Sequence, residues 1–141
     1  MRFEPMRDWW TDLRGAIGFL TILPVGSGFA FRPERMGCFF PVVGLLLGIV
    51  VAGVDAAARS LWPEPVAALM VILSLVLFTG ALHVDGLADA GDGLFSHRSR
   101  EQVMAIMKDS RVGVMGVVCM VSVRALKWGA VWALDGNRFL A

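Results

Sequence analysis

The chain has 141 residues, of which 57% are hydrophobic and 18% charged, and its formal net charge is +1. A soluble domain carries about 25% charged and about 45–50% apolar residues, so this composition indicates a membrane protein. So small a net charge gives no electrostatic footprint for a polyanion, and we expect no nucleic-acid partner.

The amino-terminal apolar stretch, residues 15–30, is predicted to be an interfacial or re-entrant helix. It is short, contains Pro24 and ends in Gly-Ser-Gly. If it crossed the bilayer, it would place Arg2, Arg7 and Arg14 outside, against the positive-inside rule.

Three later segments are predicted to span the bilayer, since about 20 apolar residues suffice. They are residues 37–58, about 66–82 and about 112–134. The connection at 84–111 is rich in Arg and Lys, whereas the connection at 59–65 carries only Arg59, so the former is expected in the cytoplasm. The predicted fold is a single all-α, polytopic membrane domain over residues 1–141. Its active-site loop covers about residues 83–111.

The cytoplasmic loop is predicted to contain a short helix of its own. Ser99 and Gln102 have the spacing of a capping box, and the apolar residues that follow continue to Met107. We expect this helix to lie along the membrane surface, and Asp109 and Ser110 to cap the third span.

An aspartate cluster at residues 83–93, HVDGLADAGDG, is the main candidate site. Treated as a continuation of the second span, the segment places Asp85, Asp89 and Asp92 within about 60° of one another on one helix face. Three carboxylates so placed repel one another, and Mg²⁺ with substrate phosphates would neutralise them. The alternative is that they are solvated loop acids.

Small neighbours of these acids are expected to leave room for a phosphate ligand. They are Gly86, Ala88, Ala90, Gly91 and Gly93. His83 is a candidate ligand or base, with a hydrogen-bonding or capping role as the alternative. Glu34, at the start of the first span, is a candidate fourth metal ligand or a helix acid favoured by the dipole.

Basic residues near the cluster are candidates for binding phosphate oxygens: Arg98, Arg100, Lys108 and Arg111. For Arg98 and Arg100, attraction to anionic lipid is the alternative. Arg124 and Lys127 lie within the third apolar span, and Arg124 is expected to face the bundle interior or a polar cavity. Gly44 and Gly48 form a GxxxG pattern, which is weak support for close helix packing.

The segment TGALHVDGLADAGDGLFSHRSREQVMAIMKDSRVGVMG, residues 79–116, resembles the signature of the adenosylcobinamide-GDP ribazoletransferase (cobalamin-5′-phosphate synthase) family. Residues 19–26, FLTILPVG, and 32–48, RPERMGCFFPVVGLLLG, are similar to two earlier blocks of that family. The resemblance implies a Mg²⁺-dependent inner-membrane enzyme that joins adenosylcobinamide-GDP to α-ribazole or its 5′-phosphate and releases GMP. Family members are typically much longer, so a truncated chain, a homo-oligomer or a separately supplied C-terminal half is expected.

Combined with the residue pattern, the resemblance gives an expected set of site residues. The expected catalytic residues are Asp85, Asp89, Asp92, His83 and Lys108; the substrate-binding residues are Arg111, Asp109, Arg98 and Arg100; the metal ligands are Asp85, Asp89, Asp92 and Glu34. Two alternatives remain. One is a CDP-alcohol-type membrane phosphotransferase, although Asp85-Gly86 lacks the following Ala-Arg pair. The other is a non-enzymatic ion-coupled transporter or assembly subunit.

Overall fold

A computed structural model describes residues 8–26, 32–107, 109 and 111–134. All regular secondary structure within these ranges is helical, which confirms the predicted all-α class. The elements are α1 (Asp8–Leu20), α2 (Pro33–Met36), a 3₁₀ turn (Gly37–Phe39), α3 (Phe40–Leu61), α4 (Glu64–Phe78), α5 (Leu82–Leu94), α6 (Arg100–Ile106) and α7 (Val114–Ala133).

Within the described residues, two helical segments are long and apolar enough to cross a membrane: Pro33–Leu61 and Val114–Ala133. They confirm the first and third predicted spans, and the first begins at Pro33 rather than at residue 37. The predicted second span corresponds to α4 and α5, which together pass the same test only as a pair bent by 89°.

The bend between α4 and α5 corrects the expectation that residues 83–93 continue the second span. Gly80 and Ala81 have φ angles of 56° and 61°, in the left-handed region. The Ala81 N–H donates to the Val76 carbonyl at 2.9 Å, which closes the last turn of α4 as a left-handed helix end does. The aspartates therefore lie on a separate helix that leaves α4 almost at a right angle.

The amino-terminal helix differs in position from its prediction. Helix α1 ends at Leu20, and residues 21–26 form no helix. Residues 21–26 are held beside α1 by a hydrogen bond in which Arg14 Nε donates to the Val25 carbonyl at 2.9 Å. Residues 27–31 lie outside the described ranges.

The helices pack around α4 and α7. Helix α4 contacts α3 and α7, and α5 packs along α7. The Trp128 indole N–H donates to the Pro65 carbonyl at 2.8 Å, which fixes α7 against the start of α4. At the other end, α1 packs on α2 and α3 through a small apolar cluster around Ala16, Met36 and Val43. In this arrangement α5 lies across the N-terminal end of α7.

Candidate functional site

Helix α5 carries all three aspartates of the predicted cluster, so their common helix face is confirmed. At about 1.5 Å per residue, Asp89 lies about 4.5 Å and Asp85 about 10.5 Å along the axis from Asp92. Asp85 is exposed, whereas Asp89 and Asp92 are half-buried. The three carboxylates therefore occupy different environments.

Asp92 is bound by the first turn of α7. The Gly113 N–H donates to its Oδ2 at 2.6 Å, and the Gly116 N–H donates to its Oδ1 at 2.7 Å. Gly113 is the N-cap residue of α7. Unpaired N–H groups and the positive end of the helix dipole favour a carboxylate at this position. Asp92 therefore caps α7 from a neighbouring helix.

This contact corrects the predicted cap of the third span. The expected caps were Asp109 and Ser110, but α7 begins after Gly113 with no side-chain hydrogen bond from its own N-cap residue. Asp109 precedes that N-cap by several residues, and its carboxylate binds Arg111 instead. Ser110 lies outside the described residues.

Gly113 and Gly116 are site residues that the sequence analysis did not identify. A Cβ on Gly113 would lie 2.8 Å from Cγ of Asp92. A Cβ on Gly116 would lie 3.0 Å from the same atom and 2.9 Å from the Ala88 carbonyl oxygen. Glycine at both positions therefore lets the carboxylate reach the backbone of α7. The sequence signal that could have identified them is a pair of glycines three residues apart at the start of an apolar span.

The small residues on α5 serve helix packing more than ligand access. Ala88, Gly91 and Gly93 are buried. A Cβ on Gly91 would lie 2.8 Å from Sγ of Cys119 on α7, and one on Gly93 would lie 3.1 Å from Val103 on α6. The expectation that these three leave room for a phosphate is therefore wrong, because other helices fill that space. Ala90 is half-buried, and Gly86 alone among the α5 glycines has no atom within 4 Å of an added Cβ.

Two substitutions on α5 separate packing from helix propensity. Gly91→Ala is expected to lower the free energy of unfolding by about 1–3 kcal/mol, because the new methyl group overpacks the contact with Cys119. Gly86→Ala is expected to raise it by about 1 kcal/mol, because alanine is the better helix former and the space is open. Thermal unfolding in detergent measures both, and equal effects of the two substitutions would contradict the packing.

A cavity of about 310 Å³ lies where α5, the α5–α6 turn and the approach to α7 meet. Four of the predicted site residues line it: Asp92, Arg98, Asp109 and Arg111. Ser96 also contributes to the lining, although its hydroxyl donates to the Gly93 carbonyl at 2.7 Å. We call this space the charged cavity. Its two guanidinium groups make it suited to an anion such as a phosphate.

The predicted capping box is confirmed. It fixes the start of α6 next to Arg98, which lines the cavity. The Gln102 N–H donates to Oγ of Ser99 at 3.4 Å, and the Ser99 N–H donates to Oε1 of Gln102 at 3.3 Å. Helix α6 begins at Arg100, directly after the N-cap residue Ser99 of this box. Arg98 therefore lies in the turn that precedes a fixed helix start.

The remaining predicted site residues lie elsewhere. His83, on the first turn of α5, is exposed and lines a different cavity with Arg124 and Lys127. Arg100 is exposed and is not part of the charged cavity's lining. Glu34 is exposed on α2. Lys108 lies outside the described residues.

Asp109 and Arg111, which both line the charged cavity, form an ion pair. Arg111 Nη2 lies 2.6 Å from Oδ2 of Asp109, and the Arg111 backbone N–H donates to Oδ1 at 3.1 Å. The hydrogen bonds from the Arg111 side chain, and then from its backbone, hold the pKa of Asp109 below its ordinary value. The same side-chain hydrogen bond, together with the carboxylate charge, raises the pKa of Arg111.

Arg111→Gln is expected to raise the pKa of Asp109 towards its ordinary value of about 4, because the largest cause of the lowering is removed. Since the folded-state pKa is depressed, the contact stabilises this loop above the ordinary carboxyl pKa. It is lost as the pH falls through the lower folded-state value. A pH titration of the Asp109 carboxyl carbon by NMR measures the shift. Arg100→Gln is the control, and identical Asp109 titrations in Arg111→Gln and the unsubstituted chain would contradict the assignment.

Asp85 and Asp89 are available to a cation in a way that Asp92 is not. Within the described residues, neither of the two forms an ion pair or a side-chain hydrogen bond. In the same part of the chain, no three His, Cys, Asp or Glu side chains converge on one point that would hold a metal ion. Mg²⁺ commonly uses one or two carboxylates and completes its shell with water and substrate phosphates. The pair fits such a site, and the Mg²⁺ set including Glu34 stays a prediction.

The comparison with known families covers the candidate site and most of the chain. The family model described as cobalamin-5-phosphate synthase matches residues 12–141. The chain belongs to this family. No solved structure matches the chain.

Curated relatives carry the name adenosylcobinamide-GDP ribazoletransferase. The chain is 46% identical to the relative from Geotalea daltonii over 127 residues, which are 88% of this chain and 51% of the relative. It is 41% identical to the relative from Desulforamulus reducens over 128 residues, covering 89% of this chain and 51% of the relative. It is 41% identical to the relative from Bradyrhizobium diazoefficiens over 138 residues, covering 93% of this chain and 52% of the relative. The chain thus spans about half the length of the curated relatives it matches.

Proposed function

We propose that this chain forms the phosphate-binding and transfer part of an adenosylcobinamide-GDP ribazoletransferase. The observation that carries the proposal is the charged cavity, which gathers Arg98, Arg111, Asp109 and Asp92 beside the α5 aspartates. Family membership over residues 12–141 supports the substrate class, because the relatives are named for that transfer. Its products would be adenosylcobalamin, or its 5′-phosphate, and GMP.

The reaction transfers one phosphoryl group between two oxygen atoms. A ribose hydroxyl of α-ribazole or its 5′-phosphate attacks the phosphorus that carries cobinamide, and a new P–O bond forms. The bond from that phosphorus to the bridging oxygen breaks, and the oxygen leaves with GMP. The hydroxyl proton passes to a base, for which Asp85 or Asp89 is the candidate, because both oxygens of Asp92 already accept backbone hydrogen bonds.

The basic residues would act on the charge of the diphosphate. Arg98 and Arg111 lie on the charged cavity and present guanidinium groups suited to paired phosphate oxygens. Asp109 fixes the direction of the Arg111 side chain, since Nε and Nη2 both donate to its carboxylate. Held in this way, the Arg111 side chain loses less conformational freedom when phosphate binds.

Mg²⁺ is the proposed cofactor, with Asp85 and Asp89 as the residues that would hold it. When bound, the ion would polarise a phosphoryl oxygen and offset the charge that develops on the attacking and leaving oxygens. Asp92 is assigned to holding α5 against α7, because both of its oxygens already accept backbone hydrogen bonds. We further propose that the cavity faces the cytoplasm from the inner membrane, since residues 84–111 carry the basic side chains.

Release of GMP tests the function. The chain is purified in detergent, alone and co-expressed with the second half of the Geotalea daltonii relative, and is incubated with Mg²⁺, adenosylcobinamide-GDP and α-ribazole. We expect equal amounts of GMP and adenosylcobalamin, and loss of both when EDTA removes the metal. The full-length relative serves as the positive control. If the relative makes product and neither preparation of this chain does, the proposal is wrong.

A further inference from the structure

A second, larger cavity of about 450 Å³ lies between α3, α4 and α7. Its walls are mostly apolar, and Leu20 of α1 reaches it from one side. The polar side chains on it are Thr79, His83, Arg124 and Lys127. None of the described residues that line it is acidic. We call this space the cationic groove.

Two cations of the cationic groove have no counter-charge in the described part of the chain. Arg124 is half-buried and Lys127 exposed, and neither makes an ion pair or a side-chain hydrogen bond with a described residue. By contrast, both basic residues of the other long span are paired: Arg59 with Asp55 at 2.8 Å, and Arg35 with Asp12 at 3.1 Å. Cations inside a membrane bundle are costly unless they are paired or solvated in a cavity.

The depth of Arg124 restricts what can neutralise it. Helix α7 begins at Val114, so Arg124 lies ten residues into the helix, which corresponds to about 15 Å along the axis. The hydrocarbon core of a bilayer is about 30 Å thick, so this position is near its middle. A lipid phosphate remains at the headgroup level and does not reach it. A carboxylate carried on a membrane-spanning helix does.

The α3 wall of the cationic groove is shaped for close approach of a helix. Gly44 and Gly48 both line it, and an added Cβ on either would meet no atom within 4 Å. The expected close packing at this GxxxG pattern is therefore absent within the described residues, and the glycine backbone is open to the groove. Membrane helices approach one another most closely at such small residues.

Curated relatives contain the amount of polypeptide that such an occupant requires. The matched part is only 51% of the Geotalea daltonii relative and 52% of the Bradyrhizobium diazoefficiens relative. We propose that the cationic groove receives a membrane-spanning helix of this second half, and that an aspartate or glutamate near its middle pairs with Arg124 and Lys127. Charge complementarity would fix both the register and the depth of that helix.

A second copy of this chain is a poorer occupant. Its two membrane-length segments carry, in the described residues, Asp55 towards one end and Glu34 at the other end of Pro33–Leu61. Asp55 already accepts from Arg59 Nε at 2.8 and 2.9 Å. Helix α4 carries Glu64, which lies in its first turn. None of these offers an unpaired carboxylate at the depth of Arg124.

Co-purification tests the proposal without reference to turnover. The tagged chain is co-expressed in bacterial membranes with the second half of the Geotalea daltonii relative, extracted in mild detergent and purified through its tag. We expect the second half to co-purify in equal amount. Arg124→Gln combined with Lys127→Gln should lower that amount by at least about tenfold, because the ion pairs are lost. Arg59→Gln is the matched control and should leave it unchanged.

Charge exchange identifies the partner residue. Arg124→Glu should abolish co-purification, and replacing one acidic residue in an apolar segment of the second half by arginine should restore it. Arg124→Lys keeps the charge and should retain binding, with circular dichroism confirming the helical content of each variant. The proposal is overturned if the unsubstituted chain brings down no second half, if the double variant brings down a normal amount, or if a differently tagged copy of this chain occupies the groove instead. The two proposals fail separately: a double variant that still brings down a normal amount overturns the helix pairing while GMP release by the two halves stands, and a second half that co-purifies without GMP release overturns the proposed function alone.

Discussion

Asp89→Asn is expected to lower GMP release by at least about 100-fold while the free energy of unfolding stays within about 0.5 kcal/mol of the original. Asp89 is half-buried on the same α5 face as Asp92, yet none of the described residues donates a hydrogen bond to it. Its charge is therefore uncompensated by the part of the chain that the structure describes. A half-buried carboxylate without a partner among these residues is free to bind a cation or a substrate group.

The measurement pairs GMP release with thermal unfolding and a Mg²⁺ titration, using the chain co-expressed with the relative's second half. Glu64→Gln is the control, because Glu64 is an exposed acid in the first turn of α4 and lines no part of the charged cavity. It should leave turnover unchanged. If Asp89→Asn kept turnover near the original value at every Mg²⁺ concentration, the assignment of Asp89 to the metal would be wrong.

The parts of the fold that follow from local sequence were predictable. Long apolar runs gave two of the membrane-length segments, and the four-residue box at Ser99 and Gln102 gave the start of α6. The break after α4 was missed, because its signal is a single glycine, Gly80, followed by Ala81 in a conformation that alanine rarely adopts. A hydropathy pattern does not register a change in direction, since Leu82 and Val84 continue it.

The candidate site was predictable in its residue types and less so in its connections. The spacing of Asp85, Asp89 and Asp92 fixed their common helix face. What separates Asp92 from the other two is a pair of backbone donors 21 and 24 residues further along the chain. Contacts at that separation depend on how α5 crosses α7, which no local pattern encodes. For the same reason the sequence pattern at Gly91 predicts space for a ligand, although Cys119 fills that space.

Asp92→Ala is expected to lower the free energy of unfolding by about 2 kcal/mol and to reduce GMP release as well. The loss combines a missing helix cap with two N–H groups left without their acceptor. Gly113 and Gly116 donate at 2.6 and 2.7 Å, which are short, charge-assisted distances. The free energy of unfolding of Asp92→Asn should lie between those of the original chain and Asp92→Ala, because the amide keeps one acceptor oxygen but presents a nitrogen to the other donor.

Hydrogen exchange at Gly113 and Gly116 distinguishes this anchoring role from a purely chemical one. Both amides should exchange faster in Asp92→Ala, whereas in Asp89→Asn they should exchange at the original rate. Unchanged protection in Asp92→Ala would contradict the capping contact. If this pattern is observed, Asp89 acts in the reaction itself, whereas Asp92, on the same helix face, holds α5 in position. The charged cavity depends on the second role, because Asp92 and Gly113 both line it and their contact holds α5 against the start of α7.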